Sequence, residues 1–125
     1  MGDTKKRLLV IEDDPALMEL MLDYCEIIDC APLPAENGGD GLAKAVAEKP
    51  DAITVDHRLP DMTGLEVIKR LKSDPATRDI PVVFLSADAK LHETEAKALG
   101  AFGVLLKPVS PAALRAVLVE ALGEW

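Results

Sequence analysis

The sequence predicts an α/β domain built on a doubly wound, five-stranded parallel sheet. Apolar runs of four to six residues alternate with longer stretches of helical periodicity, and turn residues separate them. Such alternation is the mark of repeated βαβ units. Three of the runs also stop on charge: Leu8-Leu9-Val10-Ile11 on Glu12-Asp13-Asp14, Ala52-Ile53-Thr54-Val55 on Asp56, and Val104-Leu105-Leu106 on Lys107. With 125 residues, 49% of them hydrophobic, the chain has the size of one domain with its own core.

The first run is strand 1. Asp14 then reads as an N-cap with Pro15 at the first helical position, and Leu17, Leu20, Met21, Tyr24 and Ile28 form the stripe of helix 1. Strand 2, Ala31-Pro32-Leu33-Pro34-Ala35, holds two residues that cannot donate to a ladder, which assigns it to an edge. Asn37-Gly38-Gly39 is a turn, Leu42, Ala45 and Val46 mark helix 2, and Pro50 closes it before strand 3 at Ala52 to Val55.

The loop Leu59-Pro60-Asp61-Met62-Thr63-Gly64 follows, with Gly64 able to adopt a backbone conformation that a Cβ would resist. Helix 3 carries Leu65, Ile68 and Leu71 and breaks at Ser73-Asp74-Pro75. Ile80 to Leu85, nearly all apolar and ending on Ser86, reads as a strand covered on both faces. Helix 4, about Leu91 to Leu99, has a thin stripe made mostly of alanine, so it is expected to bury less area than helices 1 and 5, to hold more loosely, and to be the moving part. After Gly100 to Gly103 and strand 5, Ser110 caps a last helix with Pro111 first and Leu114, Val117, Leu118 and Ala121 on one face.

Net charge is -8 and the pI is near 4.7, which opposes binding to a nucleic-acid backbone or an anionic membrane surface. No apolar stretch reaches membrane-spanning length, and Met1 to Arg7 is polar, so a cytoplasmic location is expected. Cys25 and Cys30 lack metal-type spacing and read as reduced, buried thiols.

In a doubly wound sheet, ligands sit beyond the carboxyl ends of the strands. Right-handed crossovers would then open Glu12, Asp13, Asp56, Ser86 and Lys107 on one edge. An acidic, cation-attracting pocket with one lysine results, and such a pocket can take a phosphoryl group onto a carboxylate. Singly, each residue has a plainer reading: an aspartate after a strand is commonly a cap or turn former, as Asp14 is. Their conjunction at the ends of separate strands is what argues for a site.

These residues resemble, over nearly the whole chain, the receiver domain of two-component response regulators of the single-domain chemotaxis type. That family carries an acidic pair after strand 1, an acceptor aspartate after strand 3, a serine or threonine after strand 4 and Lys-Pro after strand 5. Glu12-Asp13, Asp56, Ser86-Ala87 and Lys107-Pro108 fill those places, and Leu59 to Gly64 is similar to the loop behind the acceptor. The resemblance implies a flavodoxin-like fold with strand order 2-1-3-4-5 and one receiver domain over residues 1–125, core about 6–122.

It further implies a phosphoacceptor that catalyses only its own phosphorylation and dephosphorylation. Asp56 takes the phosphoryl group, with Mg²⁺, or alternatively Mn²⁺, supplying charge. Asp13 and Asp56 suit direct ligation and Glu12 ligation through water, while the backbone carbonyl of Arg58 is a further ligand by resemblance. Lys107 pairs first with Asp56 and then with a phosphoryl oxygen. Ser86 and Ala87 form the switch that moves helix 4 and changes the face of helix 4, strand 5 and helix 5. Expected partners are a histidine kinase or histidine phosphotransfer protein and a downstream protein docking on that face, with the chain a monomer or a phosphorylation-linked dimer.

The chain departs from the family at Val104, where receivers often place an aromatic three residues before the lysine; Phe102 shares its strand parity. Arg58 and Asp88, each two residues beyond a site residue, are expected to pair and slow hydrolysis. His57 is read as packing or surface, His92 as a solvated helix residue, and Trp125 as a frayed end. Two other classes remain: a phosphorylation-independent module of the same fold, and a phosphohydrolase of the haloacid dehalogenase type, whose second aspartate is replaced here by Arg58. With Gly123-Glu124-Trp125 closing the sequence, the expectation is a stand-alone domain or a piece of a larger regulator.

Overall fold

The charged-ended runs all become strands of one sheet. A computed structural model describes residues 5–125, so the polar start at residues 1–4 lies outside the described residues. Ten elements alternate strictly: β1 (Lys6–Ile11), α1 (Pro15–Ile27), β2 (Cys30–Ala35), α2 (Gly38–Glu48), β3 (Ala52–Asp56), α3 (Gly64–Ser73), β4 (Val82–Ser86), α4 (Ala89–Ala98), β5 (Gly103–Leu106) and α5 (Pro111–Leu122). The strands are parallel, in the order β2-β1-β3-β4-β5.

Side-chain alternation along the strands splits the core in two. Leu8 and Val10 of β1 point to the side covered by α1 and α5, with Met21, Cys25, Leu114 and Leu118. Leu9 and Ile11 point to the other side, with Val67, Ile68 and Leu71 of α3 and Ala96 of α4. β3 and β4 are buried at every residue, which is why they read as continuous apolar runs.

Caps fix the helix starts, those of α1 and α5 at the Asp14 and Ser110 that the sequence marks, while Gly38 and Gly39, read from the sequence as a turn, open α2. Asp14 accepts the N–H groups of Ala16 and Leu17, Asn37 that of Asp40, Thr63 that of Glu66 and Ser110 that of Ala113. β2 lies at the sheet edge with Pro32 and Pro34 in register with Leu8 and Val10. Among the described side chains of α4 only Ala96 is buried, in keeping with its thin stripe.

Several expectations are corrected. β4 begins at Val82, because Pro81 has no N–H and its carbonyl instead receives the Ile53 N–H at 3.0 Å. Leu20 and Val46 are exposed, and Cys25 and Gly41 take the inward positions on their helices. Gly64 does not have a positive φ; its place is set by crowding, since a Cβ would overlap the Asp56 carbonyl. Trp125 is no frayed end: its indole N–H donates to the carbonyls of Ile28 and Asp29, both at 3.0 Å, and Arg115 lies over its ring. No helix among the described residues is long and apolar enough to cross a membrane.

Candidate functional site

Register brings the site together. Ile11 pairs with Val55, Asp56 with Leu85 and Ser86 with Leu106, so β1, β3, β4 and β5 end level with one another. The chain leaves each strand at the same edge: Glu12 N–H donates to Ala35 O at 2.9 Å, His57 N–H to Leu85 O at 3.1 Å and Lys107 N–H to Ser86 O at 2.9 Å. Residues as far apart in the sequence as Glu12 and Lys107 thereby become neighbours.

Three carboxylates converge there. Glu12, Asp13 and Asp56 each offer an oxygen, and the three oxygens lie within 4.8 Å of one another. Glu12 and Asp56 are buried, at 3% and 5% exposure, while Asp13 faces solvent. The Lys107 ammonium is paired with Asp56 Oδ1 and lies 3.7 Å from Glu12 Oε1. One ammonium facing three acids leaves the cluster short of positive charge. Burial, opposed in part by the Asp14 N–H and compounded by the Asp56 charge, pushes the Glu12 carboxyl up to about 7. Oxygen-only donors, incompletely neutralised and open on the Asp13 side, fit a hard divalent cation.

The loop behind Asp56 is tightly built. Arg58 N–H donates to Asp56 Oδ2 at 3.3 Å, Arg58 bridges to Thr63, and Gly64 N–H returns to His57 O at 2.8 Å. Asp61 holds this loop to α2 by accepting the N–H groups of Gly38 and Gly39, both at 2.8 Å. Those two donors keep its carboxyl below the usual range. The residue after Lys107 follows a cis peptide bond to Pro108.

A cleft of about 350 Å³ beside the acids is lined by Asp56, His57, Arg58, Ser86, His92 and Lys107, among others. Ser86 Oγ accepts the Asp88 N–H at 3.0 Å and lies 2.9 Å from His92 Nδ1. His92 is therefore half-buried and engaged, not solvated. His57 belongs to the same cleft, its ring against His92 with centroids 4.1 Å apart. It lies beyond the end of β3, where strand alternation no longer dictates its side. Burial, then the neighbouring His92, holds its imidazole below the usual range.

Arg58 and Asp88 form no ion pair among the described residues. Asp88 instead caps α4, accepting the Leu91 N–H at 3.1 Å. Val104 is half-buried on β5 against the α3 side of the core, while Phe102, just before β5, and Leu106 are exposed. The histidine pair is the part of the cleft that sequence reasoning missed; a lone histidine among charged helix residues carries no sign of its tertiary partner.

Fold and site together define a receiver-type α/β domain: a 2-1-3-4-5 parallel sheet with an acid cluster and a lysine at its carboxyl edge. Comparison with known proteins agrees, and the chain belongs to the response regulator receiver domain family, whose model matches residues 8–119. It is 36% identical over 121 residues to the phosphate regulon transcriptional regulatory protein PhoB of Pseudomonas aeruginosa, covering 90% of this chain but only 52% of that protein. To the protein PilH of the same organism it is 36% identical over 104 residues, covering 82% of this chain and 86% of PilH. Among solved structures, the chemotaxis protein CheY4 of Vibrio cholerae superposes with a TM-score of 0.88 at 27% identity, covering 95% of this chain and all of that one.

Proposed function

We propose that the domain is a phosphoacceptor switch in which Asp56 takes a phosphoryl group from a histidine kinase or a histidine phosphotransfer protein. The observation that carries this reading is the pairing of Lys107 with Asp56 inside a cluster of three carboxylates. An incoming phosphoryl group is anionic, so an acceptor carboxylate must be surrounded by cations before the two meet. Asp13 and Asp56 are the direct ligands we assign to Mg²⁺, with Glu12 acting through water and the Arg58 carbonyl completing the set. When bound, the ion neutralises the acids and the transferring oxygens.

An oxygen of Asp56 attacks phosphorus as the bond to the donor's leaving group breaks, giving an aspartyl phosphate. Lys107 then transfers its ammonium from the Asp56 carboxylate to a phosphoryl oxygen. Ser86 donates its hydroxyl to another, drawing Ala87 and α4 with it and reshaping the face of α4, β5 and α5. With Val104 in place of an aromatic, that face is flatter and aliphatic, and a protein partner docks on it in the modified state. Arg58 and Asp88 flank the water route and set the lifetime of the phosphoryl group. Arg58→Ala tests that last role, with an unchanged half-life removing it.

Intact mass after incubation with acetyl phosphate and Mg²⁺ tests the reading. The protein is expected to gain one phosphoryl group, lost in Asp56→Asn and in chelator. An unlabelled parent would make it a phosphorylation-independent module, and repeated turnover of an aryl phosphate would make it a hydrolase.

A further inference from the structure

The Ser86 hydroxyl is already engaged from the side of α4. Its oxygen accepts the Asp88 N–H, and His92 Nδ1 lies 2.9 Å away. His92 is itself held in place: its ring rests on His57 with a 32° tilt, and both rings meet Phe84 edge-on, at 6.0 and 5.6 Å between centroids. Phe84 is fully buried, so the pair stands on a rigid floor. His92 thus connects the end of β4 to the first turn and a half of α4.

A hydroxyl has one hydrogen to give. With the Asp88 N–H donating into Oγ, the hydroxyl hydrogen is left free to point to His92 Nδ1, a bond that requires the imidazole proton on Nε2. A phosphoryl oxygen on Asp56 would need the same hydrogen. We propose that His92 is a positioning residue that holds the Ser86 hydroxyl in the unmodified state, and that phosphorylation breaks this hydrogen bond and so frees α4. This rests on Asp56 being the acceptor. The arrangement gives a helix with only Ala96 buried among its described side chains a further tie to the sheet, one that answers to Ser86.

Nitrogen-detected NMR of the His92 ring, read before and after labelling with acetyl phosphate and Mg²⁺, tests the proposal on the unaltered chain. Nδ1 is expected to read as an unprotonated acceptor and to shift when the phosphoryl group arrives. His92→Ala should raise the initial labelling rate by about two- to tenfold, the worth of one net hydrogen bond. His92→Asn, whose amide oxygen sits near the Nδ1 position, should stay at the parent rate. In a Ser86→Ala background the same His92→Ala change should do nothing, because the coupling has lost its other member. A labelled protein whose His92 signals do not move overturns the proposal and leaves the acceptor reading intact, as does a His92→Ala protein that labels at the parent rate. A parent that gains no phosphoryl group overturns both.

Discussion

Gly64 stands directly against the backbone carbonyl of Asp56, so the first residue of α3 sets how closely the loop can fold back on that strand end. Phe84 closes the same space from the side, leaving a substituent no direction in which to move. Gly64→Ala is expected to cost about 1–3 kcal/mol, as overpacking of a buried site does. Urea denaturation measures it, and acetyl phosphate labelling should slow in parallel because Asp56 itself is displaced.

Cation binding should stabilise the fold through Asp13. At a Mg²⁺ concentration about one hundred times the Kd, the unfolding free energy should rise by about 2.7 kcal/mol. Asp13 is exposed, so Asp13→Asn should leave the metal-free stability near the parent value and abolish the Mg²⁺ increment. Denaturation curves with and without the ion separate the two effects.

Acid should detach the β3–α3 loop from α2. Asp61 has its pKa depressed below 3.8 by the Gly39 and Gly38 N–H groups, so the folded state binds the proton less readily than the unfolded chain. Its contribution is therefore complete above 3.8 and lost as pH falls through the depressed value. The stability gap between parent and Asp61→Ala should be constant near neutrality and close on acidification. A gap that instead widens in acid contradicts this assignment.

The Trp125 indole ties the last residue to the turn between α1 and β2 through two carbonyls. Trp125→Phe keeps the ring packing and removes the N–H, so a loss of about 0.5–1.5 kcal/mol is expected from urea denaturation. No loss at all would mean that these contacts carry no weight in solution.

The strands and the acid cluster were legible because periodicity and charge mark them locally. Each strand ends where apolar residues stop, and parallel topology turns those ends into one edge, so Glu12, Asp56, Ser86 and Lys107 needed no tertiary information. Gly64 was legible as a special position but for the wrong reason, since crowding against Asp56 depends on how the loop folds back. Asp88 shows the opposite limit: its charge suggested a partner in Arg58, whereas the Leu91 N–H at the start of α4 takes the same carboxylate. The His57–His92 stack and the Trp125 contact join residues whose local sequence says nothing of each other, and only packing reveals them.

Pro32 and Pro34 lie on β2, at one rim of the sheet, and the ladder to β1 runs unbroken past both. The two missing donors therefore fall on the outward side, where another chain would have to add a strand. The domain is thereby guarded against edge-to-edge polymerisation through that rim, because an incoming strand would find two of its acceptors unanswered.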